Sequence, residues 1–110
     1  MAVLLSQALS GGIRCLEING DGVVVNGTTC AGDITIPNDV VEIGAEAFLN
    51  NKKLQGVTFE PGSKLTTIGN KAFQGVVISS IHLPPHVQAI GRYSFSDNSH
   101  LEEVTLSEEL

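Results

Sequence analysis

Three histidines are the side chains of this sequence best suited to bind a metal ion or to transfer protons: His82, His86 and His100. His82 and His86 are four residues apart, a spacing that places two zinc ligands on one face of a helix. Pro84-Pro85 lies between them, and proline prevents that helix. None of the histidines neighbours an obvious nucleophile, and the sequence has no calcium-loop or phosphate-binding glycine motif. We therefore predict no catalytic residues, no metal ligands and no cofactor.

The two cysteines, Cys15 and Cys30, lie on either side of a predicted β-hairpin. If Ile18 faces Val23 in that hairpin, Cys15 faces about Asn26, which is four residues short of Cys30. Two buried or half-buried thiols that pack as small apolar side chains are therefore the favoured interpretation. A disulfide requires the chain to curl back after the second strand, and that alternative stays open.

Composition and charge exclude several classes of protein. The chain has 110 residues, 42% of them apolar, and a formal charge of −6 without any basic run. Nucleic acids and anionic membranes are therefore poor partners. The apolar segment from Ala2 to Leu9 is far shorter than the ~20 residues that span a bilayer, and it lacks the basic start and the cleavage site of a signal peptide.

A short apolar–polar–apolar triplet occurs four times, and a proline follows each of the first three within two residues. Successive triplets begin 23, 24 and 23 residues apart. A unit of this length cannot bury its apolar side alone, so successive units must stack. Alternation within the triplets predicts strands that pair in parallel with the same strand of the next unit. The four triplets are Ile34-Thr35-Ile36, Val57-Thr58-Phe59, Ile81-His82-Leu83 and Val104-Thr105-Leu106.

A second apolar pattern runs in phase with the triplets at residues 40–48, 65–73 and 87–95. In each copy an isoleucine that ends a second short strand precedes a glycine, which suits positive φ or close backbone approach. One helical turn is expected next, around Ala47-Phe48 in the first copy. Two extra residues in the turn of the second unit are absorbed in a loop. The phenylalanines of the three copies should stack inside the solenoid: Phe48, Phe73 and Phe95.

Residues 1–32 are predicted to cap the first unit, and residues 33–110 to form about 3.3 repeats, the last of them truncated. Within the cap, the apolar residues from Leu4 to Leu9 suit a short helix that Ser10-Gly11-Gly12 ends. The glycine-rich segment 19–22 between two apolar runs predicts a hairpin.

The repeated pattern of strand, proline, Ile-Gly and Ala-Phe resembles the BspA-like leucine-rich repeat from about Asp33 to Leu110. The resemblance implies a right-handed leucine-rich-repeat solenoid, mostly β with short helical turns. One position departs from the family, which usually has cysteine where this chain has Asn51, Val76 and Asn98. Asparagine at that buried bend is expected to bond to loop backbone groups, whereas Val76 only fills space, so the middle coil is expected to bend differently.

The resemblance also implies a non-enzymatic protein–protein interaction or adhesion module. Proteins with these repeats are often large surface or secreted adhesins that bind host or neighbouring-cell proteins, so the cell surface or the exterior is the expected location. The alternative is a structural or scaffold subunit, or a fragment of a longer array, that docks in an assembly.

The outward positions of the four triplets and their neighbours form the predicted binding face. It is small, polar and mildly acidic, and His82 lies in line with the threonines of the other strands. A face of four short strands covers less than the ~800 Å² that each partner contributes to a standard interface, so loops and ends are expected to take part. Its residues are Asp33, Thr35, Gly56, Thr58, Glu60, Ser80, His82, Glu103, Thr105 and Ser107.

The carboxyl-terminal edge is rich in acidic residues on both sides of the last strand. Such charges discourage edge-to-edge pairing. A partner or a second copy that docks on this edge is the alternative, and it leaves self-association open. The residues concerned are Glu102, Glu103, Glu108 and Glu109.

Overall fold

The chain winds into coils whose backbones bond directly to the coils above and below. A computed structural model describes residues 15–106. The predicted helix at residues 4–9, Ser107 and the glutamates at 108 and 109 lie outside the described residues. Within the described part the strands are β1 (Glu17–Ile18), β2 (Val23–Asn26), β3 (Gly32–Ile36), β4 (Glu42–Ile43), β5 (Leu54–Phe59), β6 (Thr67–Ile68), β7 (Ser80–Leu83), β8 (Ala89–Ile90) and β9 (Glu103–Leu106).

One side of the solenoid is a continuous five-stranded sheet in the order β1-β2-β4-β6-β8. The β1–β2 pair is antiparallel, and the other pairs are parallel. Ile43 is paired with Ile68, and Ile68 with Ile90, although these residues are 25 and 22 positions apart. The two extra residues of the second unit are therefore absorbed outside this sheet, as predicted. Each coil begins with one strand of the triplet pattern: β3 begins the first coil, β5 the second, β7 the third and β9 the fourth.

The segment that follows β4, β6 and β8 in each coil, residues 44–51, 69–76 and 91–98, is here called the arc. The helical turn predicted there is wrong: the arc is a run of tight turns in which Glu46 and Asn50 have φ of 61° and 58°. The Phe48 N–H donates to the Ala72 carbonyl at 2.8 Å, and the Glu46 and Asn50 N–H groups likewise donate to the second coil. Because these donors bond between coils, no helical ladder forms within the arc.

Three aromatic rings form a column inside the coils, as predicted. The centroids of Phe48 and Phe73 are 5.0 Å apart, and those of Phe73 and Phe95 are 5.5 Å apart. Adjacent rings lie within 4° and 7° of parallel. Phe48 and Phe73 are fully buried, whereas Phe95 in the third coil is only partly buried.

Close backbone approach explains the glycine at the start of each arc. A Cβ added to Gly69 would lie 2.7 Å from the Ala45 backbone nitrogen, and one added to Gly44 would lie 2.7 Å from the Val24 carbonyl oxygen. Neither glycine has positive φ. The second of the two predicted reasons for glycine therefore applies: neighbouring coils pass too close for a side chain.

Asn51 holds the end of the first arc through its side-chain amide. Its Nδ2 donates to the carbonyls of Gly27 at 3.0 Å and Cys30 at 2.9 Å. Its Oδ1 accepts from the N–H groups of Lys53 and Leu54. The predicted bonding of asparagine to loop backbone at this bend is thus confirmed, and it ties the first coil to the segment that follows β2.

The two cysteines form a disulfide, so the favoured prediction of two thiols is wrong. The chain curls back after β2, because the Cys30 N–H donates to the Gly27 carbonyl and the Asn26 side chain accepts from the Thr28 N–H. This turn takes up the four residues that separate Cys30 from Asn26 and places the Cα atoms of the two cysteines 5.0 Å apart.

The predicted hairpin at the start of the described chain is present. The Asn19 side-chain oxygen accepts from the N–H groups of Asp21 and Val23, and Gly22 adopts φ of 79°. β2 of this hairpin pairs in parallel with β4 and so begins the five-stranded sheet. The boundary of a cap at residue 32 remains a prediction.

Candidate protein-binding face

The first half of the predicted face is a parallel pair, β3 with β5. Asp33 lies opposite Gly56, and Thr35 lies opposite Thr58. The two threonine hydroxyls are 3.1 Å apart, and the Asp33 carboxylate covers Gly56 so closely that an added Cβ would lie 2.6 Å from its oxygen. Asp33, Thr35 and Thr58 are exposed to solvent, and Gly56 is half-buried. This half presents hydroxyls and a carboxylate in register.

The second half of the face is the parallel pair β7 with β9. Ser80 lies opposite Glu103, and His82 lies opposite Thr105. The His82 Nδ1 hydrogen-bonds to the Thr105 hydroxyl, as expected for a histidine in a ladder of threonines. His82 and Glu103 are exposed, whereas Ser80 and Thr105 are half-buried.

The two halves are not joined by hydrogen bonds, so the parallel pairing predicted between the second and third triplets is absent. β3 and β5 form one two-stranded sheet, and β7 and β9 form another. The five-stranded sheet and the arc nevertheless continue across this boundary. Among the described residues, the interruption affects the outward strand face and the turns that follow β5 and β7.

Two sequence differences explain the interruption. In the β3–β5 pair, the Glu60 N–H extends the ladder by donating to the Ile36 carbonyl at 3.0 Å. Pro84 occupies the position of Glu60 in the third coil, and proline has no N–H to donate to the Phe59 carbonyl. The third coil also reaches its strand by a path that is one residue shorter, because Ile78 is the second residue after Val76, whereas Leu54 is the third residue after Asn51. A different bend of the middle coil at Val76 itself stays a prediction.

A groove of about 350 Å³ opens where the pairing is lost. One wall comes from β5 and the turn that follows it, and the other from the end of β7 and the two prolines after it. The groove contains three residues of the predicted face, Thr58, Glu60 and His82. Sequence reasoning missed the rest of the lining, of which the chief members are Phe59, Pro61, Pro84 and Pro85.

Glu60 is the charged residue of the groove, and its carboxylate is held in place. Its Oε1 accepts the Asn38 N–H at 2.8 Å, and the Asn38 Nδ2 donates to the Pro61 carbonyl at 3.1 Å. These two bonds clamp the turn of the second coil onto the turn of the first. The sequence pattern placed Phe59 in the core, but the structure leaves it half-buried, with part of it lining the groove.

The described residues contain no group of three or more His, Cys, Asp or Glu side chains that are placed to hold a metal ion. Within residues 15–106, no helix is long and apolar enough to cross a membrane.

A β-solenoid of about four turns with parallel strands at a spacing of about 23 residues defines the class of this protein. Residues 26–110 match the family model described as BspA type leucine rich repeat region, with six copies of the repeat. The chain therefore belongs to the BspA-type leucine-rich-repeat family, and the resemblance drawn from its sequence is confirmed. Families of leucine-rich repeats are generally non-enzymatic binding modules.

A solved structure with the same fold is the crystal structure of the pneumococcal vaccine antigen PcpA. The two chains are 32% identical with a TM-score of 0.65 over 68% of this chain. The alignment spans only 18% of the PcpA chain. No curated protein matches the sequence significantly.

Proposed function

We propose that this protein is a protein-binding module of the adhesion type. Its binding face is the strand face formed by the outward residues of β3, β5, β7 and β9, and the groove lies at the centre of that face. The observation that carries the proposal is the groove itself. The arcs and the five-stranded sheet stay hydrogen-bonded from coil to coil, whereas here polar side chains lie in register around an open cleft.

The family and the PcpA likeness support this function in general terms. Leucine-rich-repeat domains bind proteins, and PcpA is a vaccine antigen of pneumococcus. Location at a cell surface is part of the same proposal. The disulfide agrees with it, since disulfides persist in oxidising compartments such as the cell exterior.

Substitutions that add charge to the face test the proposal. Immobilised wild-type protein is used to capture surface proteins of neighbouring or host cells, and captured proteins are identified by mass spectrometry. Thr58→Lys with His82→Lys places two long, positively charged side chains beside the groove and should abolish the capture. Gln88→Lys with Ala89→Lys adds the same charge at exposed positions outside the strand face and should leave it intact. Equal capture by both double variants contradicts the proposal.

A scaffold subunit is the second candidate, and the apolar surface of the last described coils favours it. Ile90, Val104 and Leu106 are 46%, 43% and 56% exposed, although their counterparts in earlier coils are buried apart from the half-buried Phe59. Tyr93 beside them is 63% exposed. Stacking of a second copy on this carboxyl-terminal edge would bury these side chains.

Light scattering over a concentration series separates the two candidates. A scaffold forms a stable oligomer, and Val104→Glu with Leu106→Glu should return it to the monomer. A monomer at all concentrations contradicts self-association through this edge and leaves the binding module unaffected.

A further inference from the structure

We propose that the groove between β5 and β7 binds one arginine side chain of a partner protein. The inference rests on the proposed function, because it names the chemistry that the binding face selects. A volume of about 350 Å³ is at the lower end of the ~300–1,000 Å³ typical of ligand pockets. The groove therefore accepts an inserted side chain rather than a folded segment.

At its break the groove offers two hydrogen-bond acceptors. The C=O and the N–H of one trans peptide group point in opposite directions, and the Glu60 N–H, which shares its peptide group with the Phe59 carbonyl, points towards β3. The Phe59 carbonyl consequently points towards β7. Pro84 stands at the position from which a backbone N–H would donate to it, and proline has none. Glu60 adds a second acceptor, since the Asn38 N–H occupies only Oε1 and leaves Oε2 for a ligand.

Much of the groove lining is apolar. Phe59, Pro61, Pro84 and Pro85 line it, and Pro84 is itself buried. Their carbon surface suits the methylene stem of a long basic side chain, whose charged head can extend to the carboxylate. The Phe59 ring adds an aromatic surface for a cation.

Arginine fits this combination better than lysine does. A guanidinium carries five N–H donors in a fixed plane and can bond to a carboxylate and a carbonyl at once. The ammonium of lysine is a more strongly hydrated point charge and loses more hydration on entry. The formal charge of −6 favours a basic partner over the whole surface, and Glu60 fixes where its side chain enters.

The test is an NMR titration of isotope-labelled protein with the blocked peptide acetyl-Gly-Gly-Arg-Gly-Gly-amide. The neutral isostere with citrulline in place of arginine serves as the comparison ligand. We expect amide shifts confined to residues 57–63, 82 and 83, with affinity for the citrulline peptide lower by about tenfold or more, because a charged hydrogen bond is lost. Equal shifts with both peptides would overturn the inference.

Glu60→Gln is the decisive variant, because glutamine retains an oxygen for the Asn38 N–H and removes only the charge. It should reduce the affinity for the arginine peptide to that for the citrulline peptide. Glu17→Gln is the matched control, at an exposed glutamate of β1 outside the strand face, and should bind as the wild type does. Wild-type affinity in Glu60→Gln, or an equal loss in both variants, contradicts an arginine site.

The two proposals fail separately. If the arginine peptide leaves the groove unshifted while Thr58→Lys with His82→Lys still abolishes capture of a partner, the binding face stands and the arginine site does not. If capture survives that double variant, the face itself is refuted, whatever the peptide does.

Discussion

The ring of Phe48 lies 5.0 Å from that of Phe73, within 4° of parallel, although the two residues are 25 positions apart in the chain. Phe73 has a second ring, that of Phe95, on its other side. It is therefore the middle member of the aromatic column and the one whose loss affects both neighbours.

Phe73→Ala should destabilise the protein by about 3–5 kcal/mol, the range for large-to-small changes at fully buried aromatic residues. Urea unfolding followed by circular dichroism measures the change. Tyr93→Ala is the control, because Tyr93 is 63% exposed and its truncation should change stability by no more than about 0.5 kcal/mol. Similar losses in the two variants would contradict a stacked core column.

Gly69→Ala should destabilise the protein by about 1–3 kcal/mol, as overpacking usually does, because the new Cβ meets the backbone of the coil below at 2.7 Å. Gly20→Ala is the matched control, since nothing lies within 4 Å of its added Cβ. Thermal unfolding of both variants checks the difference. The close stacking of arcs is refuted if both alanines are tolerated equally.

Reduction of the Cys15–Cys30 disulfide should lower stability by about 3 kcal/mol, the chain-entropy expectation for a closed loop of about 15 residues. Unfolding with and without a reductant measures the loss, and the double variant Cys15→Ser with Cys30→Ser should not respond to the reductant. Detection of free thiols in the native protein by mass analysis would contradict the disulfide.

Pro84→Ala should close the groove, because alanine supplies a backbone N–H that can donate to the Phe59 carbonyl. The new amide at position 84 should be protected in hydrogen exchange, and the arginine peptide should bind less well. Pro85→Ala is the control, since its position does not correspond to that of Glu60. An unprotected amide at position 84 would show that the shorter path from Val76 to Ile78, rather than the proline, separates the strands.

Much of the fold is predictable because the repeat places like residues in like surroundings. The phenylalanine column and the pairing of Ile43 with Ile68 follow from spacing alone, even across an insertion. The arc is not predictable in this way. Ala47-Phe48 satisfies the local pattern of a helical turn, and its true conformation depends on bonds to residues 24 positions further along the chain.

The candidate site is predictable only in part. Alternation identifies Thr58 and His82 as outward residues, and the structure places both beside the groove. The groove itself depends on the N–H that Pro84 lacks and on the path from Val76 to Ile78, which is one residue shorter than in the first coil. Neither difference disturbs the repeat pattern enough to predict a groove. The disulfide was mispredicted for a similar reason, because the turn after Asn26 decides where Cys30 lies.

The uninterrupted sheet and arc have a consequence for how such arrays diversify. Because they keep neighbouring coils together, a proline substitution or a small change in loop length on the opposite side can open a cleft at any level without loosening the stack. Clefts at different heights along one array can thus acquire separate ligand preferences while the supporting spine stays the same.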